Sequence, residues 1–128
     1  MPVYSSGSRR PGRPSRAFRL AYANSLTALR RFEEAKLLLR RTTPVALRVL
    51  GGNHEYTLML RKTYGRSLSK DPGATLDDLR EAVETLEDAE RIARRVLGSA
   101  HPTTAGVEGA LRAARAKLRA REPPSETS

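Results

Sequence analysis

His54 and His101 are the two histidines of this 128-residue chain, and they stand 47 residues apart. Metal binding or acid–base catalysis would need further donors converging on the same point. Neither histidine lies in such a carboxylate–histidine constellation. Each instead follows a glycine by three residues, Gly51 and Gly98, so the recurrence predicts a structural part in a helix start or turn. The other candidates are the acids Glu81, Glu84, Glu87, Asp88 and Glu90. Spread along one helix, they predict a solvated flank paired with arginine, with Glu87–Arg91 and Glu90–Arg94 at the favourable i,i+4 spacing. There is no cysteine, which excludes disulfides, thiol nucleophiles and cysteine zinc sites. No Gly-x-Ser-x-Gly elbow and no phosphate-cradling loop occur. The sequence therefore predicts no catalytic residue, no metal site and no cofactor: a binding surface, not an enzyme.

The elements that carry these residues follow from composition and periodicity. Ala, Leu, Arg and Glu dominate, which favours helix. There is no Trp and there are only two Phe, so thin layers of Leu and Ala between paired helices suit the chain better than a thick core. One domain is expected from the length. No apolar run approaches the roughly 20 residues of a membrane span, and no secretory segment is present. A soluble, cytoplasmic chain is expected, with an organellar transit leader as the alternative.

Charge is unevenly spread. The net charge is +10, yet residues 1–32 hold seven arginines and no acid, leaving +3 for the remainder. Within this leader, Arg9-Arg10-Pro11-Gly12-Arg13-Pro14 invites a nucleic-acid reading, because Gly-Arg-Pro resembles the core of an AT-hook. That pattern places a basic residue where Pro11 stands, and a single imperfect hook would bind weakly and in a salt-sensitive way. A plain basic tail is the preferred reading.

An internal repeat organises the rest. Moved forward by 47, residues 32–57 fall on 79–104 without a gap and with ten identities, among them Glu34/Glu81, Leu39/Leu86, Gly51/Gly98 and His54/His101. Upstream the offset is 42: Arg19/Arg61, Tyr22/Tyr64, Ser25/Ser67 and Leu26/Leu68 match, and Ala23/Gly65 are both small. The five-residue difference lies in Ser69–Asp78. There Asp71-Pro72-Gly73 signals a turn, and Thr75 or Asp71 can cap the next helix.

Each unit reads as two helices, predicted at about 17–30, 32–50, 55–69 and 76–97, with a fifth at 102–119. Phe18, Tyr22, Leu26 and Leu29 are expected to form the apolar face of the first, and Leu76, Leu79, Val83, Leu86, Ala93 and Leu97 that of the fourth. Gly51-Gly52-Asn53, a good αL cap, and Gly98 stop their helices. Pro44 should kink its helix around Arg40–Pro44 with Thr43 displaced, although Val45-Ala46-Leu47 keep the apolar phase and predict that the helix continues. Residues 16–120 form the expected repeat domain; 1–15 and 121–128 read as disordered tails.

The motif Phe32-Glu33-Glu34-Ala35, then Val49-Leu50-Gly51 with His54 and Thr57, resembles the tetratricopeptide repeats of kinesin light chains. Val96-Leu97-Gly98 with His101-Pro102-Thr103-Thr104 resembles that family's junction more closely still. The resemblance covers about 17–118. It implies an all-α fold of antiparallel helical hairpins stacked as a right-handed superhelix, here about two and a half repeats. The glycine usual between the two helices of a unit is Arg30 here.

That resemblance implies a protein–protein adaptor whose first-type helices line a concave groove for an extended peptide. Its lining would include Asn24 and Thr27 in the first unit, and Lys62, Arg66 and Ser69 in the second. Lys62 and Arg66 favour an acidic ligand through charge-assisted hydrogen bonds. Gly51, His54, Gly98 and His101 are the expected structural junctions. Stacked repeats stabilise one another, and about three are usually needed. Marginal stability alone, or self-association through the repeat ends, is therefore expected. The alternatives are nucleic-acid binding through the leader, or a piece of a longer array with no independent function.

Overall fold

A computed structural model describes residues 15–122. Arg16–Ala28 (α1), Phe32–Leu50 (α2), Glu55–Lys70 (α3), Leu76–Val96 (α4) and Pro102–Arg121 (α5) are its helices, and no strand occurs among the described residues. None of these helices is long and apolar enough to cross a membrane. The leader and most of the tail lie outside the described residues. Three residues assigned to them are structured: Ser15 Oγ accepts from the Phe18 N–H and caps α1, Arg121 belongs to α5, and Glu122 is the C-cap of α5.

The helix ends follow local chemistry. Thr75 and Asp78 form a reciprocal capping box on α4, with Asp77 and Asp78 in its first turn and Arg94 and Arg95 in its last, complementing the helix dipole. The inserted loop is held at both ends. Asp71 Oδ1 accepts from the Gly73 N–H at 2.9 Å, and its other oxygen lies 3.5 Å from the ammonium of buried Lys36. Burial opposes the Lys36 charge. A hydrogen bond to Glu33, then the charges of Glu33, Asp71 and Asp78, outweigh it and hold its pKa above the ordinary lysine value.

Helix α2 runs unbroken through Pro44, which is exposed. Thr43, expected to be displaced, stays helical, with a buried hydroxyl that has no partner. The arrangement matches stacked hairpins. Consecutive helices pack in pairs, except that α1 and α3, and α3 and α5, also pack on each other, whereas α2 and α4 make no close backbone approach. The first-type helices α1, α3 and α5 are thus drawn together, and the second-type helices splay. The layer bends with the first type on its inner side.

The core lies in two clusters on either side of α3. Leu58, Leu68, Ala82, Leu86, Val107 and Leu111 belong to one; Ala23, Leu39, Ala46 and Leu60 form the other. The apolar face expected for α1 needs correction. Leu26 is buried, but Phe18, Tyr22 and Leu29 are 57%, 49% and 67% exposed. Packing of α1 onto α2 and α3 uses Ala23, Leu26 and Thr27, which turns the aromatic stripe outward.

Two backbone positions carry the geometry. Gly65 lies so close to α4 that a Cβ there would stand 2.5 Å from Leu86 Cγ. Arg30 has φ +64°, a left-handed conformation that costs a side-chain-bearing residue about 1–2 kcal/mol. Its guanidinium lies 5.6 Å from the centre of the Phe32 ring, which offsets part of that cost. Gly65→Ala is expected to lower the unfolding free energy by about 1–3 kcal/mol through overpacking. Arg30→Gly is expected to raise it by about 0.5–1 kcal/mol. Urea denaturation followed by circular dichroism reads both; unchanged midpoints would contradict the close approach and the strain.

Candidate peptide-binding groove and its structural junctions

The two hairpin junctions are built alike. Gly51 has φ 89° and ψ 162°, a region essentially reserved for glycine, and Gly98 has φ +93°. Gly51 therefore ends α2 in an extended mirror-image conformation instead of the expected αL cap. Gly98 donates its N–H to the carbonyls of Ala93 and Arg94 at 3.2 Å each. Three residues on, the histidines cap the next helices. His54 Nδ1 accepts from the Tyr56 N–H at 3.0 Å, and His101 Nδ1 from the Thr103 N–H at 3.1 Å. A ring nitrogen spent on the backbone serves as an N-cap, satisfying one of the first N–H groups of the helix. The starts of α3 and α5 are also tied together, with Thr103 Oγ1 donating to Glu55 Oε2 at 2.8 Å.

On the inner layer, Lys62 and Arg66 stand one turn apart on α3. With Ser69 and Lys70 they face Gly106, Gly109, Ala110 and Ala113 of α5 across a cavity of about 340 Å³. The α5 wall is made of small residues: Gly106 is so near that a Cβ would lie 3.3 Å from Lys62 Nζ. Lys62 is half-buried. Burial, and then repulsion from Arg66, push its pKa below the ordinary lysine value. No ion pair neutralises Lys62, Arg66 or Lys70 among the described residues. One end of the cavity is fixed by Lys117, whose ammonium donates to the Ser69 carbonyl.

The first unit contributes differently. Asn24 is exposed, and its Oδ1 accepts from Thr63 Oγ1 at 2.9 Å, tying α1 to α3 beside Lys62. Thr27 is 4% exposed, and its hydroxyl donates to the Ala23 carbonyl of its own helix. It belongs to the core and leaves the set of groove residues. The cavity thus gathers Lys62, Arg66 and Ser69, with Asn24 adjoining through Thr63.

Most of the acids of α4 are engaged with basic or hydroxyl partners, though not all as expected, and Glu84 makes no ion pair among the described residues. Glu90 pairs with Arg94 at 3.3 Å. Glu87 reaches across to Arg115 on α5 at 2.9 Å, and Arg91 takes Asp88 instead. Glu81 accepts from the Tyr64 hydroxyl, which accepts in turn from Arg40 Nε. This chain joins α2, α3 and α4 across the outer cleft where the second-type helices splay. Burial, and then the bond to Glu81, raise the Tyr64 pKa. The sequence reading missed this bridge, although the Tyr22/Tyr64 and Glu34/Glu81 matches mark its two fixed members. No group of three or more His, Asp or Glu side chains capable of holding a metal occurs among the described residues.

A family model for the tetratricopeptide repeat matches residues 23–56. That stretch is similar to a tetratricopeptide repeat. The match takes in the end of α1, all of α2 and the junction with His54, and the internal repeat extends the same hairpin to the second unit. No curated protein and no solved structure gives a significant match. Tetratricopeptide repeats are in general non-catalytic protein-interaction modules, and the all-helical hairpin array fits that class.

His101→Ala is expected to cost about 1 kcal/mol, the usual worth of an N-cap, while His101→Asn, which keeps a side-chain acceptor, should cost much less. Thermal melts of the two variants decide it; equal loss in both would show that the ring acts by packing instead.

Proposed function

We propose that the chain is a protein-interaction adaptor of kinesin-light-chain-like type, which binds an extended acidic segment along the inner layer. One observation carries the reading: Lys62, Arg66 and Lys70 converge on a cavity whose opposite wall is glycine and alanine, and no ion pair neutralises them among the described residues. Uncompensated, partly desolvated cations bind carboxylates through strong charge-assisted hydrogen bonds. A wall of glycine and alanine lets an extended backbone come close. Asn24, beside them on α1, offers amide donors to that backbone.

The nucleic-acid alternative rests on Arg9, Arg10 and Arg13, which lie outside the described residues. It differs in site, so deletion of residues 1–14 separates the two.

The test is fluorescence polarisation with a flexible Glu/Asp-rich peptide and its Lys-rich counterpart. The acidic peptide should bind the full chain and the leader deletion alike. Lys62→Glu with Arg66→Glu should weaken it about tenfold or more. A bound carboxylate favours protonated Lys62, so affinity should be constant at neutral pH and fall as pH rises through the lowered lysine pKa. Binding lost with the leader but kept in the double variant would overturn the groove in favour of the tail.

A further inference from the structure

The internal repeat allows the covered face of the second unit to be compared with the same face of the first. In α3, Leu60 is fully buried against α2 and Tyr64 is half-buried there. Their counterparts at offset 42 are Phe18 and Tyr22. These stack with ring centres 6.0 Å apart and are 57% and 49% exposed. Beside them a groove of about 330 Å³ runs between α1 and α2, lined by Arg19, Leu38, Arg41, Thr42 and Val45. A smaller cavity of about 120 Å³ extends it to Val49 and Tyr56. The first unit thus has the surface on which a second-type helix packs, and no helix on it among the described residues.

Charge identifies what would cover it. In the second unit Arg61 faces Asp88 at 3.8 Å. The counterpart of Arg61 is Arg19, and that of Asp88, at offset 47, is Arg41. Where one unit has an ion pair, the other has two cations. Neither is neutralised among the described residues, and residues 1–14 contain no acid. The leader is basic and holds no acid, so it does not supply the charge. A second copy is no better matched. Its own α1–α2 face is equally basic. Its α5 face presents Arg112 and Arg115, both exposed, at the positions where α3 has Gly65 and Leu68. Its acidic helix α4 exposes Val96 as its one large apolar side chain.

We propose that the outer face of α1 and α2 docks an amphipathic helix of a partner protein, leucine-rich on its contacting stripe and acidic on its flank, lying on α1 as α2 lies on α3. The apolar stripe covers Phe18 and Tyr22, and the acids reach Arg19 and Arg41. This surface is distinct from the inner groove and does not depend on it.

The experiment uses the full chain and two synthetic helical peptides with the same leucine stripe, one flanked by glutamate and one by lysine. The glutamate peptide should bind the wild type. Phe18→Ser should weaken it, and Arg19→Glu with Arg41→Glu should weaken it about tenfold while admitting the lysine peptide. Lys62→Glu with Arg66→Glu should leave it unchanged. Circular dichroism checks that these surface variants keep their helix content. Undiminished binding of the glutamate peptide to the Arg19/Arg41 variant overturns the proposal, as does binding of neither peptide. Loss in the Lys62/Arg66 variant alone places the peptide in the inner groove and also overturns it. Sedimentation showing a wild-type dimer that Phe18→Ser dissociates assigns the face to a second copy instead.

Discussion

Helix α3 packs on every other helix of the chain, and the rest of the structure depends on that sandwich. Leu58 and Leu68 are buried on one flank and Leu60 on another. Tyr64 packs against both clusters and bridges Arg40 to Glu81. Burying apolar surface on both sides of one helix is how a stacked array gains stability without a thick core, since each unit is stabilised mainly by its neighbour. It also explains the modest aromatic content: the space at the closest approach admits only Gly65 opposite Leu86.

The same sandwich sets the binding geometry. First-type helices close up on the inner side while α2 and α4 stay apart, so cationic side chains of α3 converge on α5. The inner cavity is positive because α3 brings Lys62, Arg66 and Lys70 while the facing stretch of α5 brings small residues. The outer cleft is neutralised by the Arg40–Tyr64–Glu81 chain.

What was legible in the sequence was whatever repeats. The paired matches of glycine and histidine placed the junctions, and the change of offset from 47 to 42 placed the inserted loop. The tetratricopeptide character and the all-helical hairpins followed from the same pattern. What repetition does not encode was harder to read. Helical spacing put Phe18, Tyr22, Leu26 and Leu29 on one face, but periodicity cannot say whether a neighbour covers that face. The family resemblance put Thr27 in the groove; its hydroxyl is satisfied inside its own helix, an arrangement open to any threonine. Helical spacing paired Glu87 with Arg91, and its partner in the fold, Arg115, depends on where α5 lies.

The replacement of Gly65 and Leu68 by Arg112 and Arg115 in α5 has a consequence for how such an array lengthens. A hairpin added after α5 would have to desolvate two guanidinium groups where its predecessors found a glycine and a leucine. A hairpin added ahead of α1 would meet stacked aromatics. Extension by duplication is therefore polarised: a unit stacking on the α1 side meets aromatic surface, whereas one stacking on the α5 side meets positive charge.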